Sequence, residues 1–229
     1  MIITIDGPTA SGKSTIAKLM AQKLGWKSLS SGLLFRGLAY VLMNSFNYNE
    51  NTIETPSPTD IKESLNPQRF LFELTENGGT IKFDGKDITP FLKDARIDKA
   101  ASIIATDEFV RDQLVMAQRQ LVKNQNVVVE GRDTGSTVFS DAPIKFFLTA
   151  SAEIRAHRWL QDRERDNAQI LPQMAQERIN ERDTRDMQRA ISPLVVPEGA
   201  LIIDSSTMNP EQTVQYMYEL YESKMQKSK

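Results

Sequence analysis

The chain has no cysteine and one histidine among 229 residues, and its net charge is only −2. Without cysteine there are no disulfides and no thiolate metal centres, which fits a reducing compartment. A near-neutral balance gives no basis for a nucleic-acid or membrane-surface partner, so any affinity for phosphate must come from arginines placed locally. Aromatics are sparse at 7%, and the Phe and Met side chains read as core filling, with no aromatic cage. No apolar run approaches the length of a membrane span, and the first strand pattern begins at Met1 or Ile2, so no leader is expected. With 40% apolar and 25% charged residues, the remaining reading is an ordinary globular enzyme of the cytoplasm.

What is present begins with Gly7-Pro8-Thr9-Ala10-Ser11-Gly12-Lys13-Ser14. It follows the apolar run Ile2-Ile3-Thr4-Ile5 and precedes an amphipathic stretch from Thr15, with Ile16, Leu19, Met20 and Leu24 at helical spacing. Strand, glycine-rich loop and helix in this order make a phosphate loop. Its backbone N–H groups close around a polyphosphate, Lys13 reaches the outer phosphates, and the Ser14 hydroxyl is set to ligate Mg²⁺. Gly7, Ala10, Ser11, Gly12, Lys13, Ser14 and Thr15 are therefore expected to hold ATP.

Further strand patterns start near residues 27, 127, 144 and 200, each followed by helical periodicity. That alternation predicts an α/β fold with a five-stranded parallel sheet covered on both faces. Ser30 and Ser31 precede a helical stretch and are expected to cap it. Asn47 to Pro58 reads as a connector, with Pro56 and Pro58 against helix. From Arg69 the period becomes two: Phe70, Phe72 and Leu74, a turn at Asn77-Gly78-Gly79, then Ile81 and Phe83. This predicts a small antiparallel insert, bounded near residues 60 and 92. Helix is expected from Ile97 to Lys123 and from Ser151 to about Arg165. A break at Asn167 to Pro172 separates the latter from a helix over Gln173 to Arg189, and Pro210 to Met225 forms the last.

Arg178, Arg182, Arg185 and Arg189 fall on one helical stripe. Like charges at this spacing repel, and Glu181 and Asp186 offset part of that. The stripe is either a salt-bridged solvent face or the acceptor side of a polyphosphate site, and the phosphate loop favours the second. Glu130-Gly131-Arg132-Asp133 lies at the carboxyl end of a strand, where ligands bind in parallel sheets. Arg132 and Asp133 could form a mere ion pair, or Arg132 could take phosphate and Asp133 a donor on the substrate. Arg36 occupies the corresponding rim after the second strand. His157, in a charged helix, reads as a surface residue.

Assembled in order, these residues resemble the bacterial cytidylate kinases, a family of P-loop nucleoside monophosphate kinases. The blocks are G-P-x-x-S-G-K-S-T, S-G-x-x-F-R, the hairpin insert, G-R-D-x-G, D-A-P-x-K-x-F-L-x-A-S and R-D-x-R-D-x-x-R-x-x-S-P-L, from Ile2 to about Asp204. The resemblance implies transfer of the ATP γ-phosphoryl to CMP, with dCMP as a second acceptor and Mg²⁺ as the accompanying ion. It implies that Ser31, Arg36, Arg132 and Arg189 hold the CMP phosphate, that Ser102, Arg111 and Asp133 read cytosine, and that Arg182 with Asp186 hold the ribose. Arg158 would reach the transferred phosphoryl from a lid, so the catalytic set would be Lys13, Arg132, Arg158 and Arg189. It further implies a core of residues 1–36, 97–152 and 190–229, a monophosphate-binding insert 37–96 and a lid 153–189, in a monomer. Glu130, Ser30 and Phe35 depart from the family's usual Asp, Asp and Tyr. Two other readings stay open: a P-loop kinase of a small hydroxyl metabolite, with Asp133 as its base, and a regulatory nucleotide switch, although no N-K-x-D guanine motif is present.

Overall fold

A computed structural model of the chain describes residues 1–164 and 170–227. Strand β1 (Ile2–Asp6) leads through the glycine-rich loop into helix α1 (Lys13–Leu24), followed by β2 (Lys27–Ser30) and α2 (Ser31–Ser45). Next come α3 (Pro58–Ser64), the hairpin strands β3 (Phe70–Glu73), β4 (Thr80–Phe83) and β5 (Lys86–Asp87), and a 3₁₀ turn at Thr89–Lys93. Helices α4 (Ala95–Ile104) and α5 (Glu108–Leu121) precede β6 (Val127–Gly131), a π-helical turn Thr134–Val138 and β7 (Ile144–Thr149). The chain then runs through α6 (Ala152–Glu164), α7 (Pro172–Gln188), β8 (Leu201–Asp204) and α8 (Pro210–Lys227).

The main sheet has five parallel strands in the order β2-β6-β1-β7-β8. Buried on both faces, its central strands carry unbroken apolar or β-branched runs, and the two-residue strand period sorts them. Val127 and Val129 join Leu38, Leu42, Ile104, Val110 and Leu114 in a core beneath α2, α4 and α5. Val128, one residue out of phase, joins Ile16, Met20, Phe146, Val214 and Met217 beneath α1 and α8. Because β1, β6 and β2 are in register, Asp6 ends level with Gly131 and Ser30 level with Glu130, one residue short, and their following loops meet.

The antiparallel sheet β3-β4-β5 stands on α2 and α3, and its Phe70, Ile81 and Phe83 belong to the same core as Leu38. It also touches the edge of the main sheet, where Ser28 N–H donates to Thr75 O at 3.0 Å. That contact covers part of an otherwise open strand edge. The tip Asn77–Gly79 is thereby held across from α1.

Three local expectations need correction. Pro58 does not exclude helix but begins one: it occupies the first turn of α3, where its missing N–H costs nothing, behind the Ser57 side chain that accepts from Thr59 N–H. The single helix expected from Ile97 to Lys123 is two, because Asp107 turns its carboxylate to the Val110 N–H and starts α5 anew. Ser30 does not cap α2; its hydroxyl donates instead to Glu130. The break expected over Asn167 to Pro172 lies partly outside the described residues, and Pro172 opens α7.

Candidate active site

A cleft of about 630 Å³ opens where the loops after β1, β2 and β6 meet α4, α7 and the insert's tip. The phosphate loop forms its floor. Gly7 approaches the neighbouring strand so closely that a Cβ there would lie 2.0 Å from the Leu148 carbonyl oxygen. Ala10 carries a positive φ of 58°, a left-handed conformation costing an alanine roughly 1–2 kcal/mol. Thr9, Ala10, Gly12, Lys13, Ser14 and Thr15 all line the cleft, and Ser11 is buried behind them.

Lys13 bends back over the loop, its Nζ donating to Pro8 O at 2.6 Å and Ser11 Oγ at 3.3 Å. Burial, and then Arg132 beside it, pushes its pKa well below the ordinary lysine range; Glu130 and Asp183 oppose the shift. An anion in the loop would relieve both causes. Ser14 Oγ donates to Glu130 Oε1 at 3.0 Å, and Ser30 Oγ donates to the same oxygen at 2.5 Å. Glu130 therefore reaches the mouth of the loop.

Beyond the loop lies a cationic wall cross-linked by buried carboxylates. Arg132 Nε donates to Asp186 at 2.9 Å and its Nη2 to Thr9 Oγ1 at 3.2 Å. Burial alone would lower the Arg132 pKa, but Asp186, Asp183 and Glu130 outweigh it and hold the group charged. Asp133 sits between Arg111, which donates to Oδ2, and Arg189, which donates to Oδ1 at 3.1 Å. The Arg111 guanidinium also lies over the Phe35 ring at 5.6 Å. Asp98 receives Arg182 at 2.5 Å and Arg36 at 3.5 Å, and Arg185 donates to Ser102 Oγ at 2.9 Å. Ser31 is buried at the start of α2 and lines the same space.

Burial lowers the pKa of both Arg182 and Arg189; Arg132 adds to this at both and Arg111 at Arg189, whereas their carboxylates act against it. Among the described residues, the Nε atoms of Arg36 and Arg182 are buried without a hydrogen-bond partner. Guanidiniums that are crowded, desolvated and incompletely bonded form a site complementary to a multiply charged anion.

The arginine stripe divides. Arg182 and Arg189 line the cleft and Arg185 bonds Ser102 on its wall, whereas Arg178 is exposed with its guanidinium 6.0 Å from the Trp159 ring. Arg189 lies just past the helix, with extended backbone, and its Nε donates to Ser192 O. Arg158 takes a position other than the one expected. Instead of lining the cleft, it donates to Ser11 O at 3.1 Å and to Ser205 Oγ and O at 3.0 and 2.8 Å. Carbonyl acceptors at the loop's back satisfy it, and Arg155, one turn earlier, touches the loop at Thr9 O at 3.1 Å.

Sequence reasoning missed Asp6, Asp98, Arg155 and Asp183. Only Asp183 carried a readable signal. Along α7 the buried positions are Ala175, Ile179, Asp183 and Asp186, so the apolar face continues into two acids that must be paired.

The family sequence model described as cytidylate kinase matches residues 3–223. The cytidylate kinase of Ureaplasma urealyticum is 38% identical over 226 residues, covering 99% of this chain and 97% of that protein. That of Stutzerimonas stutzeri is 40% identical over 215 residues, covering 93% and 92%. Among solved structures, an uncharacterized protein from Eubacterium ventriosum superposes with a TM-score of 0.52 at 12% identity, covering 97% of this chain and 99% of that one, a likeness of fold alone. A phosphate loop facing an arginine wall, in a sequence aligned with these kinases nearly end to end, leaves one conclusion: the chain belongs to the cytidylate kinase family.

Proposed function

We propose that the protein transfers the γ-phosphoryl group of ATP to the phosphate of CMP, and of dCMP, giving CDP or dCDP and ADP. The observation that carries this reading is Asp133, held by Arg111 and Arg189 one residue from Arg132 and across the cleft from the phosphate loop. Cytosine presents an amine donor beside an acceptor nitrogen and a carbonyl, so a carboxylate flanked by guanidiniums is complementary to it. Uracil would turn a carbonyl toward that carboxylate, an unpaired acceptor costing about 1–3 kcal/mol.

The acceptor phosphate has a second pKa near ~6 and is already largely an anion at neutral pH, so no general base is needed. The chain's task is to bring two anions into line. Arg36, Arg132 and Arg189 draw in the CMP phosphate beside Ser31, with the phosphate replacing part of what Asp186 and Asp133 now supply. Arg182 and Asp186 take the ribose, and Arg185 releases Ser102 toward the base. Lys13 swings from Pro8 O to the transferred group, where its charge and those of the arginines stabilise the loose transition state. Ser14 and Glu130 supply two hard oxygens within 3.0 Å of each other, a set that suits Mg²⁺ shared with nucleotide oxygens. When bound, that ion neutralises and orients the donor phosphates. Residues 37–96 act as the monophosphate-binding insert and residues 153–189 as the lid over a core made of the rest, and together they exclude water from the transfer. Arg158 reaches the transferred phosphoryl only after leaving Ser11 and Ser205.

The small-hydroxyl kinase reading requires Asp133 as a free base, and both of its oxygens are engaged by arginines. ADP formation with Mg·ATP and each of CMP, dCMP, UMP, AMP, GMP and shikimate tests the assignment. Strong turnover with CMP and dCMP, weaker with UMP, is expected. Background hydrolysis unmoved by every monophosphate would overturn it.

A further inference from the structure

Asp6 ends β1, immediately before the phosphate loop, and is completely buried. No lysine or arginine pairs with it among the described residues. Its carboxylate instead takes three hydrogen bonds from one place: Oδ1 accepts from Thr134 N–H and Thr134 Oγ1–H, both at 2.8 Å, and Oδ2 accepts from Gly135 N–H at 2.6 Å. Thr134 and Gly135 follow Asp133 directly and open the π-helical turn Thr134–Val138. The packing admits no other arrangement. A Cβ on Gly135 would stand 2.6 Å from Thr4 Oγ1 and 3.2 Å from Asp6 Oδ2, so a bare backbone is required for the amide to reach the carboxylate.

We propose that Asp6 is a positioning residue for the acceptor subsite, tying the loop that carries Arg132 and Asp133 to the root of the phosphate loop. The inference rests on the acceptor role given above to Arg132 and Asp133. Asp6 touches neither substrate. It fixes the backbone from which Asp133 departs, and through Asp133 the placement of Arg111 and Arg189. A neutral or protonated group at this position cannot accept from both amides with both oxygens, because one of its two atoms becomes a donor aimed at an N–H.

The neighbours leave Asp6 sensitive to pH. Burial, with a smaller contribution from the Asp133 charge, raises its pKa to about 6 against the lowering effect of the Gly135 and Thr134 bonds. Besides Asp133, the groups near it are uncharged: Thr4 on its own strand, Phe147 in register on β7, and the Pro197 ring near Gly135. Acid thus releases the acceptor loop from β1 over a narrow range.

Steady-state kinetics with Mg·ATP and CMP on wild type, Asp6→Asn and Thr134→Val give the first test. Asp6→Asn is expected to raise the KM for CMP about tenfold or more while the KM for ATP moves by less than about twofold, with a smaller shift of the same kind in Thr134→Val. If Asp6→Asn does not fold, Thr134→Val, which keeps the carboxylate, carries the comparison. Equal rises in both KM values, or no change in the CMP value, would overturn the proposal. The Gly135 amide resonance supplies a readout independent of turnover: it should titrate with a midpoint near pH 6 in wild type, and an invariant resonance would also overturn the proposal. Failure of wild type to use CMP would sink the acceptor reading by itself, leaving the Gly135 titration to decide the Asp6 linkage.

Discussion

Asp183 on α7 accepts the Thr9 N–H at 2.8 Å, while Arg155 on α6 binds both Asp183 and the Thr9 carbonyl. Helices α6 and α7 thus grip both polar groups of one residue in the phosphate loop. A carboxylate at an N–H of this loop occupies a donor of the kind the loop offers to phosphate. Replacing Asp183 by Ala strands Arg155 and the Thr9 amide in a largely buried place, and should cost about 3–5 kcal/mol in urea unfolding. Asp183→Asn keeps an acceptor for Thr9 and should cost less.

Lys13 is retained against its own stability. With its pKa depressed by burial, the unfolded chain binds the proton more tightly than the fold does, so stability should rise with pH between the folded value and the ordinary 10.5. Lys13→Met should abolish that rise and increase the urea midpoint at neutral pH. The same variant should lose transfer by about 10²–10³-fold, the usual cost of removing one transition-state donor. Normal turnover in Lys13→Met would contradict the site.

Asp6 offers the opposite test of linkage. Its folded pKa of about 6 lies above the ordinary 3.8, so its contribution is fully present below about 3.8 and is lost as pH rises through 6. The stability of wild type relative to Asp6→Asn should fall by about 1.4 kcal/mol per pH unit across that window, about 3 kcal/mol in all, and be flat above it. Paired urea titrations at intervals from pH 4 to 7 read this directly.

Glu130 binds two hydroxyls with one oxygen, Ser14 from the phosphate loop and Ser30 from β2. Glu130→Gln removes the charge without removing the reach. The Mg²⁺ concentration for half-maximal activity should rise about 10- to 100-fold, while the KM for CMP changes little. A change confined to the CMP term would place Glu130 on the acceptor side instead.

For base selection, Asp133→Ala should lower kcat/KM for CMP far more than for UMP. If Asp133 meets the cytosine amine as proposed, the ratio of the two should narrow about 10- to 100-fold. Arg111 and Arg189 lose their partner in this variant, so its fold should be checked by circular dichroism before its kinetics are read.

Much of this architecture is written locally. The strand run at 127–129 is buried on both faces and that at 144–148 alternates, and the strand–loop–helix context of the glycines, Lys13 and Ser14 favours a phosphate loop over a plain glycine-rich turn, because the constraint on each lies within a few residues. The insert was legible for the same reason: Phe70, Ile81 and Phe83 alternate, and Asn77-Gly78-Gly79 turns the chain. At Ser30 a distant partner decided, and at Pro58 an adjacent one. The Ser30 oxygen could have accepted an N–H of α2 as its cap, but the side chain is turned to donate to Glu130, one hundred residues on, at 2.5 Å. Pro58 could have excluded helix, but the Ser57 side chain behind it made a start.

The sequence by itself determined that a phosphate loop stands before a five-stranded parallel sheet and that arginines gather downstream, since periodicity and spacing are properties of neighbours in the chain. Only the tertiary structure decided which carboxylate holds which arginine: Asp98 with Arg36 and Arg182, Asp186 with Arg132, Asp133 with Arg111 and Arg189, Asp183 with Arg155. Separations of 22 to 84 residues intervene between these partners. A charge in a sequence carries no address for its counter-ion. The pairing is set by the register that brings Asp6 beside Gly131 and Ser30 beside Glu130 and by the burial that makes an unpaired charge too costly to leave.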